Sequence, residues 1–181
     1  MRKTLKLGDR CTTRKLIVCV AAILFGIVTP TLYAADATPD VSLDVKKVAP
    51  RAVEELTQRS IVRDYKLAWA GLALALESNS TSPLNALFEG TASQTLREKV
   101  SRQQTSGITS RYTNQTHKLQ AVFYAPEGDV IELQDTAEYD IQTQDGDKTI
   151  HTEHALVRYI VLMTPGADRW VIRQLQAVPQ F

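Results

Sequence analysis

Two side chains in the second half of the chain, Asp135 and His154, are of types that could move a proton. An acid buried among apolar groups has a raised pKa and can act as a general base. His151 and Glu153 beside His154 suggest metal ligands, but strand positions three apart point to opposite faces. The chain has no glycine-rich phosphate loop, nucleophile elbow or cysteine-based site. We therefore predict no metal, no cofactor and no catalytic residue.

The most apolar stretch that follows the N-terminal region is ALVRYIVLM, residues 155–163, and it contains an arginine. Its alternating residues are apolar on both faces of a strand. One face carries Ala155, Val157, Tyr159, Val161 and Met163, and the other carries His154, Leu156, Arg158, Ile160 and Leu162. Helices can cover the first face. The second face is expected to need a lid, a ligand or another protein chain, because wide exposed apolar patches are unusual.

The turn QDGD decides which residues of the preceding strand lie beside Arg158. A two-residue turn would gather Asp135, His154 and Arg158 on one face. A three-residue loop would place Gln134 opposite Arg158 and move Asp135 to the other face, and this register matches the apolar faces better. Arg158 would then extend toward Glu132 and be purely structural. Otherwise it marks a pocket or an interface.

Two-residue periodicity begins at residue 111 and predicts the strands of a sheet. Glycine-containing turns separate four candidates, which indicates an antiparallel meander. The candidates are residues 111–124, 130–143, 148–163 and 170–178.

Three helices are predicted before the sheet. The long first helix has Pro50 at its first position, and its stretch LAWAGLALAL is apolar nearly all round, which predicts burial on more than one side. A short helix is expected from residue 82 to 90. A third has a capping box at Thr91 and Gln94 and ends at Gly107. The predicted core face of the first helix comprises Ile61, Tyr65, Ala68, Trp69, Leu72 and Leu76.

Helices followed by a sheet indicate an α+β fold, with the helices packed on one face of a four-stranded antiparallel sheet. The domain is expected to span residues 50–181. Residues 36–49 are interpreted as a flexible linker or edge arm.

The first 35 residues predict export. Six Lys and Arg against one Asp precede a 13-residue apolar run, and small residues at Ala34, Ala35 and Ala37 offer cleavage sites. We predict a signal peptide and a periplasmic or secreted protein. The alternative is an uncleaved anchor over residues 16–35, which would hold the protein at the inner membrane.

The charge of the exported part argues against a nucleic-acid partner, and its cysteine content argues against a disulfide. Without residues 1–35 the chain has 15 Lys and Arg against 19 Asp and Glu, a net charge of −4. It therefore has no electrostatic footprint for nucleic acid. Cys11 and Cys19 are removed with the signal, so no disulfide is expected in the exported part.

The order of elements, ALVRYIVL and the closing RWVIRQLQAV resemble the nuclear transport factor 2-like superfamily, also described as a cystatin-like cone. More narrowly, they resemble the C-terminal domain of plastid and cyanobacterial division proteins and the mitochondrial import-motor domain. The V-R-Y strand corresponds to Val157, Arg158 and Tyr159, and the W-x-I strand to Trp170 and Ile172. The resemblance covers about residues 52–178 and implies a curved sheet folded around helices.

The resemblance also implies a binding or assembly module. The leading hypothesis is an exported, non-enzymatic module that uses the sheet face or the cone opening to bind a protein partner, itself or a small apolar ligand. The contact would be made by Leu156, Arg158, Ile160 and Leu162.

Some members of the wider superfamily are isomerases, dehydratases or cyclases. A small lyase or isomerase is therefore an alternative, with Asp135 or His154 as general base and Tyr65, Trp69 and Tyr139 lining the cavity. At these spacings the three aromatic residues are equally expected in an ordinary core. A third hypothesis is a membrane-anchored subunit of an envelope assembly.

Overall fold

The computed structural model describes residues 38–178, so the predicted signal peptide or anchor lies outside the described residues. None of the described helices is long and apolar enough to cross a membrane. The predicted α+β class is confirmed. The elements are β1 (Asp40–Asp44), β2 (Ala49–Pro50), α1 (Glu55–Glu77), α2 (Gly90–Thr105), β3 (Ile108–Tyr124), β4 (Ile131–Asp145), β5 (Lys148–Pro165) and β6 (Trp170–Val178).

The sheet is mixed and six-stranded, in the order β1-β3-β4-β5-β6, with β2 also paired to β3. The antiparallel meander predicted for β3 to β6 is confirmed. The two short strands were not predicted: β1 lies within the segment 36–49, β2 spans its end and Pro50, and both pair parallel with β3. Val41 of β1 is buried in the core, which explains why this segment joins the sheet.

Helix α1 places its predicted face against the sheet, because Ile61, Tyr65 and Trp69 and the rest of that face are buried. The prediction that its C-terminal half is buried on more than one side is confirmed in part, because Leu72, Ala73, Ala75 and Leu76 are buried and Gly71 lies against Pro83 and Leu87. Leu67 and Leu74 are 44% and 54% exposed. One side of the helix therefore faces solvent with leucines on it.

The predicted helix boundaries are correct only in part. Helix α1 begins at Glu55 rather than at Pro50, because Pro50 pairs with β3. The predicted short helix is a single 3-10 turn, Ser82–Leu84. The capping box of α2 is wrong, since the Thr91 hydroxyl donates to the Arg173 carbonyl at 3.1 Å. Gly107 follows the end of α2 with φ +71°, the left-handed conformation that a helix C-terminus favours.

Neither predicted register of the β4–β5 hairpin is correct. Asp145 pairs with Lys148 across a two-residue turn, but the ladder shifts beyond it, where Thr143 pairs with His151. The extra residue in β5 is Ile150, a β-bulge. Arg158 consequently pairs with Thr136.

Strand β5 is longer than its partner on the far side. The described residues of β6 pair with Arg158–Pro165 of β5. Within the described part of the chain, residues 148–157 of β5 have strand β4 on one side and no strand on the other.

Candidate functional site

The sheet separates the residues predicted for the site into two groups. One group is buried between the sheet and the helices: Tyr65, Trp69, Asp135 and Tyr139. The other group lies on the opposite face of the sheet: His154, Leu156, Arg158, Ile160 and Leu162. Asp135 and His154, the two candidate bases, therefore do not meet.

The buried group is organised around the carboxylate of Asp135. Its Oδ2 accepts a hydrogen bond from the Tyr65 hydroxyl at 2.8 Å and lies 2.8 Å from Nδ1 of His117. Burial, reinforced by the negative charge of Asp135, raises the pKa of Tyr65 well above its ordinary value. Sequence reasoning missed His117. Its only signal is that it alternates with the core residues Leu119 and Ala121 on β3.

Aromatic rings fill the space beside this carboxylate. The Trp69 ring lies 4.2 Å from the His117 ring and 5.8 Å from the Tyr139 ring, measured between centroids. The Tyr139 and Tyr159 hydroxyls are hydrogen-bonded at 2.8 Å, and burial raises the pKa of both tyrosines.

An Asp–His–Tyr cluster has the groups to hold and move a proton, but these side chains have no solvent-accessible surface. Nε2 of His117 and Oδ1 of Asp135 have no hydrogen-bond partner within residues 38–178. In the described structure a substrate has no route to the carboxylate. The geometry is that of a polar cluster that fixes the packing of α1 on the sheet.

The outer face of the sheet carries a row of four side chains. Lys118 of β3, Thr136 of β4, Arg158 of β5 and Val178 of β6 lie side by side across the strands. Neighbouring strands are about 4.8 Å apart, so the two cations leave the sheet about 10 Å from each other. Neither cation forms an ion pair with a residue that the structure describes.

This row forms part of a groove of about 450 Å³. The predicted contact between Arg158 and Glu132 is wrong, because the observed register places Glu132 opposite Leu162, two rows away. Gln120, Gln134 and Ile160 also line the groove, as do Asp135 and Tyr159, whose side chains belong to the buried cluster on the inner face.

The apolar side chains predicted for this face of β5 are present but unequally exposed. Leu156 is 51% exposed, whereas Ile160 and Leu162 are half-buried. The face is therefore open to solvent at Leu156 and Arg158 and partly shielded farther along β5.

His154 lies among acidic groups on the same face. Its Nδ1 is 2.8 Å from Asp140 and its Nε2 is 3.4 Å from Glu138. The hydrogen bond to Asp140 raises the pKa of His154, while hydrogen bonds from Asn114 and His154 lower the pKa of Asp140. The two carboxylates approach different ring nitrogens, and the described residues contain no group of His, Cys, Asp and Glu that could hold a metal ion.

Comparison with known proteins identifies a fold. No protein-family model and no curated protein matches the chain. Among solved structures, the chain is similar to the crystal structure of the intermembrane-space region of the chloroplast protein ARC6, with a TM-score of 0.54 and 14% sequence identity. The match covers 72% of this chain and 100% of the other. At this identity the likeness is one of fold alone, shared between an α+β domain of this chain and that intermembrane-space region.

Proposed function

We propose that this chain is a protein-interaction module whose outer sheet face docks a partner segment that carries a carboxylate beside an aliphatic side chain. The observation that carries the proposal is the row containing Lys118 and Arg158, two cations on the same groove that form no ion pair with residues 38–178. An arginine can bind a carboxylate through two parallel hydrogen bonds, which gives orientation as well as affinity. Val178 and Ile160 supply apolar surface next to that charge.

The composition of the groove favours a peptide segment over a small apolar ligand. Gln120, Gln134 and Thr136 line its floor together with the two cations. A wholly apolar ligand would cover these polar groups without pairing them, which costs free energy. A peptide offers backbone donors and acceptors to the amides and a carboxylate to the cations.

The positive charge of the groove is opposite in sign to the net charge of the domain. Residues 36–181 have a net charge of −4, so an acidic partner is repelled by most of the surface and attracted at the groove. The fold shared with the intermembrane-space region of ARC6 is compatible with a protein-binding role and with a location outside the cytoplasm.

Three finer predictions remain parts of this proposal. They are membership of the nuclear transport factor 2-like superfamily, export by a signal peptide, and the alternative of a membrane-anchored subunit. The last two depend on residues 1–35. A lyase or isomerase would need an open cavity beside its general base. That alternative is not favoured, because Trp69 and Tyr139 pack beside Asp135.

Selection of peptides from a random phage-displayed library on the purified protein tests the proposal. Enriched peptides are expected to share an Asp, a Glu or a terminal carboxylate next to an aliphatic residue. Arg158→Ala is expected to lower the affinity for the best-binding peptide by about tenfold or more, since a hydrogen bond to a charged group contributes about 1.5–3 kcal/mol. Added salt should weaken binding further.

Arg59→Ala is the matched control, because Arg59 is an exposed arginine on α1, away from the groove. It should leave affinity unchanged. Enriched peptides without an acidic group, or equal effects of the two substitutions, would refute the proposal.

A further inference from the structure

A ridge of α1 faces solvent and carries leucines where polar residues are expected. We call it the α1 ridge and define it by Leu56, Arg63, Leu67, Leu74 and Glu77. At 3.6 residues per turn, spacings of 7, 11 and 18 residues return to nearly the same side of a helix. The three leucines are 76%, 44% and 54% exposed in chain order. The opposite side of the helix is in the core.

The central part of the ridge is symmetrical about Ala70. Leu67 and Leu74 lie three residues before and four residues after it, and Arg63 and Glu77 lie seven residues on either side. The apolar side chains thus match one another under a half-turn, while the terminal charges are opposite. Such a surface is complementary to a second copy of itself.

We propose that two copies of this chain associate through antiparallel α1 helices, related by a two-fold axis at Ala70. Each Arg63 then faces Glu77 of the other copy, and each Leu67 packs against Leu74 of the other copy. The small side chain of Ala70 lets the helices approach closely at the axis. The paired segment is about 21 Å long, at 1.5 Å per residue.

The charged groups at the ends of this segment retain capacity for the intermolecular contact. Arg63 uses Nε and Nη2 on the carboxylate of Asp64, at 2.7 and 3.1 Å, which leaves Nη1 available. Glu77 Oε1 is 3.6 Å from Arg111, and its second oxygen can accept another guanidinium.

The dimer goes beyond the proposed function and uses a different surface. Helix α1 lies on the inner face of the sheet, and the groove lies on the outer face, so both can be occupied together. A dimer would present two grooves and bind a partner with two acceptor segments more tightly than a monomer does. A paired segment this short indicates a dissociation constant of roughly micromolar or weaker.

Sedimentation equilibrium of the purified protein over a range of concentrations tests the dimer by exchange of charges. Glu77→Arg places two arginines opposite each other and should weaken association about tenfold, as should Arg63→Glu. The double variant should restore association to near the original value. A monomer at every concentration would overturn the proposal, and so would a double variant no better than either single one.

A matched pair of leucines locates the interface on the ridge. Leu74→Lys should weaken association, whereas Leu56→Lys should not, because Leu56 lies beyond the paired segment. Equal effects would place the contact elsewhere and refute this geometry.

Arg63 pairs with the buried Asp64, so Arg63→Glu could unfold the protein. A disulfide crosslink tests the same interface without changing that pair. Ala70→Cys, in a chain with Cys11 and Cys19 changed to Ser, should form a disulfide-linked dimer on mild oxidation, because symmetric residues meet at the axis. Ser60→Cys should not. A crosslink at residue 60 and none at residue 70 would contradict the two-fold axis proposed.

Discussion

Removing the hydroxyl of Tyr65 tests whether the buried carboxylate of Asp135 fixes α1 on the sheet. Tyr65→Phe changes volume little, so the cavity term is small and the loss is one buried hydrogen bond of 2.8 Å to a carboxylate. Hydrogen bonds to charged groups contribute about 1.5–3 kcal/mol, so we expect the free energy of unfolding to fall by about 2 kcal/mol. For a domain of this size, that lowers the melting temperature by about 4–8 °C.

Urea unfolding followed by tryptophan fluorescence is a direct assay, because Trp69 packs against this cluster with its ring 4.2 Å from that of His117. Tyr139→Phe is the matched control. It removes a buried hydroxyl that is hydrogen-bonded to the Tyr159 hydroxyl at the same distance, a neutral pair expected to contribute about 1 kcal/mol. If Tyr65→Phe costs no more than Tyr139→Phe, the carboxylate does not have the structural role inferred here.

Three further predictions concern single contacts. Burial raises the pKa of Tyr112 to about 12, so its stabilising contribution is present below pH 10 and lost toward pH 12. The free energy of unfolding in urea should fall over this range, and Tyr112→Phe should make the fall less steep; an unchanged slope would contradict the assigned role. The His154 pKa, measured by NMR titration, should lie above 6.5 and return toward that value in Asp140→Asn; an unchanged pKa would contradict the assigned cause. Asp64→Ala leaves the buried Trp170 amide without its 2.8 Å acceptor and should cost about 2 kcal/mol in urea unfolding, whereas a loss under about 0.5 kcal/mol would show that water replaces it.

The parts of the fold that could be predicted are those with strong local periodicity. Strands β3 to β6 have alternating side chains and turns that contain glycine, and all four were located. The core face of α1 follows from its three- and four-residue spacing. Strands β1 and β2 depend on pairing with β3 far along the chain, and their own alternation is too faint to reveal it.

The register of the β4–β5 hairpin shows the limit of turn chemistry. The two-residue turn alone would set one register, but the bulge at Ile150 shifts the rest of the ladder by one residue. The shift decides the neighbours of Arg158, which faces Thr136 and lies far from Glu132. Its position on the groove was therefore not predictable in detail.

The buried site was predicted in part. Tyr65, Trp69, Asp135 and Tyr139 do lie together, although they contact one another and the rings leave little space between them. His117 was missed because a single histidine in an alternating strand has no distinctive signal. A binding role for any of these residues remains a prediction.

Because β5 is longer than β6, part of β5 forms an edge at which the protein could aggregate. Ten residues of β5, 148–157, extend beyond the last pair with β6, and within residues 38–178 no strand pairs with that side of their backbone. An unpaired edge strand of this kind can form hydrogen bonds with a strand of another molecule, which is a route to fibril formation. Charged or titratable side chains interrupt it at Lys148, His151, Glu153 and His154, which makes stacking of identical chains costly. The charged and titratable side chains of this hairpin thus oppose edge-to-edge aggregation of the sheet.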